Sequence, residues 1–162
     1  MSDSREYPSR PIVGVGAVVL IAQTDAARYG WSGETANPGV VLVKRKFEPL
    51  QGQWTLPGGA IEVGETLEAG IARELLEETG LIVEVGPIVD VFDRIVPDDE
   101  GRTRYHYVLI DYLCVPTGGR LCAGSDVAEV ALADVMNGLD RYGVNDKARS
   151  VIRKAIHYAD TR

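Results

Sequence analysis

Residues 56–81 read LPGGAIEVGETLEAGIARELLEETGL, and this stretch decides how the rest of the chain is read. Its first part, Pro57-Gly58-Gly59, permits a tight turn with exposed backbone groups. Its second part predicts a helix over Thr66–Thr79, with Thr66 as N-cap and Gly80 as the C-terminal stop. At about 100° per residue, Ile71, Leu75, Ala72, Leu76 and Ala69 fall within an arc of about 160°. Arg73, Gly70, Glu77, Glu74 and Glu78 fall on the other side, within about 140°. Glu74 and Glu78 are one turn apart, so their carboxylates project side by side, and Gly70 leaves space above them.

Alone, such an acidic face is an ordinary solvated surface. Like charges at this spacing disfavour the helix by a few tenths of a kcal/mol per pair, and a hard cation removes that penalty. Mg²⁺ and Mn²⁺ prefer oxygen ligands, and Mg²⁺ takes one or two carboxylates together with water and phosphate. Arg73 can hold a neighbouring carboxylate in place, and Glu65, at the start of the helix, can reach Arg73 or a bound water. A carbonyl of the Pro57-Gly58-Gly59 turn can add a further ligand.

Outward from this segment the elements alternate irregularly. Ile12–Ala22 is valine-rich and reads as a strand, and Gln23–Pro38 as a long loop. Val40–Arg45 is a second strand, ending in the basic run Lys44-Arg45-Lys46, and Phe47–Gln53 is a turn region. Val83–Val96 is strand material interrupted at Gly86-Pro87, followed by a turn over Pro97–Arg102. Tyr105–Val115 is the strongest strand, and Val127–Leu132 a short one. From Asp146 to Ala159, Ala148, Val151, Ile152, Ala155, Ile156 and Ala159 recur at helical spacing behind the cap candidate Asn145. No repeat appears, and the lack of regular βαβ alternation points to α+β or a three-layer sandwich.

The chain of 162 residues, 45% hydrophobic and 25% charged, suits one domain. We expect residues 1–10 to be a flexible N-terminal tail and 11–162 to be that domain. The N-terminus lacks the pattern of a secretory signal and no apolar run spans a bilayer, so the expectation is a cytoplasmic protein without membrane contact. The 2 cysteines, Cys114 and Cys122, and 2 distant histidines offer no zinc spacing. A net charge of −7 argues against nucleic-acid binding. If the substrate is a polyanion, positive charge must come from elsewhere, and a metal ion supplies it.

The spacing Gly59, five residues, Glu65, seven residues, Arg73-Glu74-Leu75, one residue, Glu77-Glu78, one residue, Gly80-Leu81 resembles a complete Nudix box. Gly52-Gln53-Trp54-Thr55-Leu56-Pro57-Gly58 is similar to the family's usual lead-in. The resemblance implies an α/β/α sandwich around a mixed β-sheet, and metal-dependent hydrolysis of a nucleoside diphosphate compound. It implies Glu74, Glu77, Glu78 and the carbonyl of Gly58 as ligands of Mg²⁺ or Mn²⁺, with Glu65 and Arg73 orienting them. The resemblance further implies that water attacks phosphorus, activated by Glu74 or by an acid on a later loop, here Asp126 or Glu129.

The outer loops set the substrate. Pro97, sixteen residues past Leu81, matches a family association with ADP-ribose hydrolysis, although a proline also suits the start of a turn. Gly59 and Arg45 are candidates to contact the substrate, and Trp54, Phe47 and Tyr105 to stack on a base. ADP-ribose or a related nucleotide sugar is the leading expectation. A nucleoside triphosphate diphosphatase of the 8-oxo-dGTP type and a catalytically silent ligand-binding domain are the alternatives. A homodimer is open, with the N-terminal strand a candidate to take part.

Overall fold

Branched residues dominate the strands, and their alternation sorts them onto two faces of one sheet. The computed structural model describes residues 5–33 and 37–161. The strands are β1 (Ile12–Ile21), β2 (Gly39–Arg45), β3 (Trp54–Thr55), β4 (Gly58–Ala60), β5 (Leu81–Pro97), β6 (Thr103–Gly119) and β7 (Val127–Asp134). The helices are α1 (Leu67–Thr79) and α2 (Asp146–Asp160). The sheet runs β3-β2-β1-β6-β5, with β4 also beside β1 and β7 beside β2. Among the described residues only β1 and β6 pair in parallel; the other pairs are antiparallel, so the sheet is mixed.

Odd-numbered residues of β1, Val15, Ala17, Val19 and Ile21, pack with Ile71 and Leu75 of α1. Even-numbered Val18, with Val40 and Leu42 of β2, packs with Val151, Ile152 and Ala155 of α2. One helix therefore covers each face, and the α/β/α sandwich expected from the sequence is the observed architecture.

The pairing of β1 positions the site. One edge of β1 runs beside β6 from Ile12 to Val19. Its other edge is shared: β2 takes Leu20 and Ile21, and β4 takes Gly14 to Gly16. Between them the Ala17 N–H donates to the Pro57 carbonyl at 3.0 Å. β1 and β2 thus separate after two residue pairs, and a cavity opens where they part.

Several local expectations are refined. The stretch read as a loop from Gln23 contains a 3₁₀ helix over Gln23–Tyr29, while residues 34–36 lie outside the described ones. Gly86-Pro87 does not break β5; the strand continues through register shifts between Val85 and Asp90. The buried arc of α1 is Gly70, Ile71, Leu75, Glu78 and Thr79, and Leu76 is 53% exposed. The true inward face is rotated toward the acids, because the helix must also close against β4. Of the expected tail, residues 1–4 lie outside the described ones. Tyr7 donates its N–H to Arg104 O at 2.7 Å and its hydroxyl to Asp98, so that part is tied to the β5–β6 end.

Candidate functional site

The loop–helix segment is held at both ends by the bonds its sequence calls for. The Thr66 side chain accepts from the Ala69 N–H at 3.1 Å. Gly80 closes the helix at φ 75°, with its N–H on Leu76 O. The next carbonyls of α1 are taken by a distant loop: Cys122 N–H donates to Thr79 O, and Gly124 N–H to Glu78 O. That satisfies helix-end acceptors and brings the 122–126 loop to the acidic end of the helix.

Arg73 is the hub of the charge network. Its Nε donates to Glu65 Oε2 at 2.6 Å and its Nη2 to Glu65 Oε1 at 2.9 Å, a bidentate fork. Its Nη1 reaches Glu74 Oε1 at 2.9 Å and Glu77 Oε2 at 3.2 Å, and its Nη2 also donates to the Ala60 carbonyl. The arginine holds the Glu65 carboxyl down at about 2. Glu74 is raised above its ordinary range, because burial outweighs the pull of Arg73.

Glu78 is only 8% exposed. Its Oε2 accepts from the Gly58 N–H at 3.0 Å. Burial pushes its carboxyl up to about 8 despite that bond, and the charge of Glu74 adds to the rise. Arg45 pulls the other way and Asp126 adds to the rise, so both lie within the field of Glu78. The second oxygens of Glu74 and Glu78 are engaged by no described residue. Such a pair favours either protons or a hard cation, and its all-oxygen donor set suits Mg²⁺ or Mn²⁺.

The glycines have steric reasons. A Cβ on Gly59 would strike the Glu74 carboxyl, and one on Gly58 would strike the Val15 carbonyl. Among the described residues, no three His, Cys, Asp or Glu side chains close round one point. An open pair that leaves positions for water and phosphate is the usual Mg²⁺ arrangement.

The cavity beside this pair has a floor of Gly14, Gly16, Gly58 and Gly59. Arg45, Pro49 and Leu50 stand on one side of it, and Arg94, Tyr107 and Asp111 on the other. Arg45 is steered by its own Nε bond to Pro49 O at 2.6 Å.

The sequence-derived candidates separate accordingly. Glu65, Arg73, Glu74, Glu77, Glu78, Gly58 and Gly59 converge, with Arg45 across from them. Asp126 is exposed but close enough to act on Glu78. Glu129 is 59% exposed at its side chain and pairs with Lys44 at 3.3 Å. Trp54 does not line the cavity; it packs edge to face on Tyr142 at 4.9 Å and against the α2 cluster. Pro97 ends β5 opposite Thr103 and does not line the cavity either. Phe47 is exposed, and Tyr105 stacks on Tyr107. Arg94 and Asp111 escaped the sequence reading. Asp111 had one signal, a lone acid within the apolar run Val108–Val115 of β6, and Arg94 had none, since β5 carries several charges.

Fold and site together define an α/β/α sandwich whose acidic helix meets, through Gly58 and Gly59, a cavity lined in part by arginines. Residues 16–153 match the family model of the NUDIX domain, and the chain belongs to that family. It is 40% identical over 98 residues to an ADP-ribose pyrophosphatase of Methanocaldococcus jannaschii, covering 60% of this chain and 56% of that one. It is 48% identical over 69 residues to a putative 8-oxo-dGTP diphosphatase 2 of Mycobacterium tuberculosis, covering 41% and 47%. The matches thus take in about half the length of these relatives. Among solved structures, a MutT/nudix family protein from Enterococcus faecalis has a TM-score of 0.68 at 23% identity, covering 95% of this chain and 64% of that one.

Proposed function

We propose that this chain is a metal-dependent hydrolase that cleaves the diphosphate linkage of a nucleoside diphosphate derivative, with ADP-ribose or a related nucleotide sugar as the leading substrate. The observation that carries the reading is the Glu74–Glu78 pair, each with one oxygen gripped and one free, beside a glycine-floored cavity. The similarity to the archaeal ADP-ribose pyrophosphatase supports the choice of substrate. Pro97 is not among the residues lining this cavity, so the choice of substrate does not lean on it.

Nudix hydrolases generally use divalent metal ions. Glu74, Glu78 and the Gly58 carbonyl would hold Mg²⁺ or Mn²⁺, with Glu77 reaching it directly or through water. The ion supplies neutralisation of phosphate charge and a more acidic water. Arg73 and Glu65 fix the direction of Glu74. Glu74, its proton affinity raised by burial, and Asp126 are the groups placed to accept the proton of the attacking water. Glu129, paired with Lys44, is less well placed. Arg45 steadies a phosphate oxygen from across the cavity.

The partner is a small nucleotide-type molecule, not nucleic acid, consistent with the net charge of −7. Among the described residues no helix is long and apolar enough to cross a membrane. A cytoplasmic location stays part of the proposal. So does one domain over 11–162, which the shared sheet supports.

A panel of ADP-ribose, sugar nucleotides, diadenosine polyphosphates and 8-oxo-dGTP, each with Mg²⁺ and with Mn²⁺ and with products separated by chromatography, tests the reading. The expected result is AMP and ribose phosphate from ADP-ribose at the highest kcat/KM. Preferential release of pyrophosphate from the triphosphate would favour the second reading, a nucleotide-sanitising diphosphatase, which the mycobacterial relative supports. No turnover with either metal would leave a ligand-binding domain.

A further inference from the structure

Asp111 of β6 is 5% exposed, lines the cavity, and makes no hydrogen bond or ion pair with any described residue. Buried carboxylates are normally paired, because an unpaired one costs stability. Arg94 of β5, on the same face of the β5–β6 ladder, is also half-buried at the cavity wall and also lacks such a partner. The two influence one another through space without touching. An acceptor and a donor fork therefore point into one cavity with their hydrogen-bonding capacity unused.

The neighbourhood is shaped to leave them so. Gly16 is the β1 residue beside Asp111, and a Cβ there would strike Asp111 Oδ1. Gly58, whose N–H grips Glu78, is the next residue across, on β4. Two strand spacings separate Asp111 from Gly58, about 10 Å. A nucleotide with its phosphates at the Glu74–Glu78 pair spans such a distance to place its base, rather than its phosphates, at Asp111.

We propose that Asp111, with Arg94 beside it, reads the hydrogen-bonding edge of the substrate's nucleobase. This rests on the preceding reading that the cavity takes a nucleoside diphosphate derivative. A carboxylate only accepts and a guanidinium only donates. A nucleobase edge offers an N–H donor next to a ring-nitrogen or carbonyl acceptor, which the carboxylate and the guanidinium complement. Burial raises the Asp111 carboxyl to about 6, so the acceptor form is present at neutral pH while the fold bears its desolvation.

The test is calorimetric binding of AMP, GMP, CMP, UMP and 2′-deoxy-AMP to the wild type, Asp111→Asn and Arg94→Gln. The wild type is expected to rank the four ribonucleoside monophosphates by base, the tightest binding at least about tenfold better than the weakest. Asp111→Asn is expected to remove most of that preference and to raise the thermal midpoint, since a buried unpaired charge disappears. Arg94→Gln is expected to weaken the same preference, and it serves as the readout should Asp111→Asn fold poorly. Base ranking unchanged in both variants overturns the proposal. So does a wild type without base preference. A penalty for 2′-deoxy-AMP that vanishes in Asp111→Asn also overturns it, by assigning the carboxylate to the ribose. Monophosphate binding requires no cleavage, so failure here is distinct from failure of the hydrolase reading, which the substrate panel decides.

Discussion

Two buried carboxylates, Glu78 and Asp111, carry the largest consequences for single residues. Replacing Glu78 with Gln is expected to lower metal-dependent kcat by at least about a hundredfold while leaving the circular dichroism spectrum unchanged; activity near wild type would remove Glu78 from the metal site. The pH dependence of the metal-free fold follows from the carboxyl of Glu78 rising from 4.5 to about 8 on folding. Between those values the folded chain holds a proton that the unfolded chain has released. Its contribution to stability is full below 4.5, declines through that window and is lost above about 8. The slope is at most about 1.4 kcal/mol per pH unit. Melting curves in a chelator should fall across this window, and Mg²⁺ should restore more as the pH rises. Parallel curves with and without metal would count against the assignment. The two glycines before the helix should also differ. Gly59→Ala meets a side-chain carboxyl that can swing away, so activity should drop with the fold retained. Gly58→Ala meets the Val15 carbonyl, which cannot yield, so the fold itself should suffer. Urea titration alongside turnover distinguishes the two.

Among the elements, α1 and α2 are anchored by caps legible in the chain. Thr66 accepts from Ala69 N–H and Asn145 from Ala148 N–H. Thr66→Ala and Asn145→Ala should each cost about 1 kcal/mol by urea unfolding. The facing of α1 was less legible. Periodicity ranks Leu75 and Leu76 together, yet Leu75 is buried and Leu76 is exposed. Leu75→Ala should cost about 2–5 kcal/mol, and Leu76→Ala within about 0.5 kcal/mol. Equal losses would mean the helix is rotated from the observed facing. A wheel centred on apolar residues could not place Glu78 inward, since the groups that favour a carboxylate there, the Gly58 N–H and Arg45, are remote in sequence. The short strands β3 and β4 were missed for a related reason. Trp54-Thr55 carry no strand signal of their own and Gly58-Gly59 read as a tight turn, and they are strands only because β2 and β1 present open edges.

For the whole molecule, the two cores are built from apolar strand and helix residues on either side of the sheet, away from the carboxylates. Chelation should therefore abolish turnover while leaving the far-ultraviolet spectrum intact; loss of the spectrum would show a structural metal instead. The amino-acid sequence by itself determined the strongly periodic strands, both helices with their caps, and the acidic loop–helix segment. These are local patterns, set by spacing and by cap and turn chemistry within a few residues. The tertiary structure alone decided which carboxylates are desolvated and that Trp54 belongs to the α2 core. It also seated the 122–126 loop on the end of α1, and brought Arg45, Arg94 and Asp111 to one cavity. Those outcomes depend on the splitting of the edge of β1 between β2 and β4, a long-range pairing that no local spacing encodes.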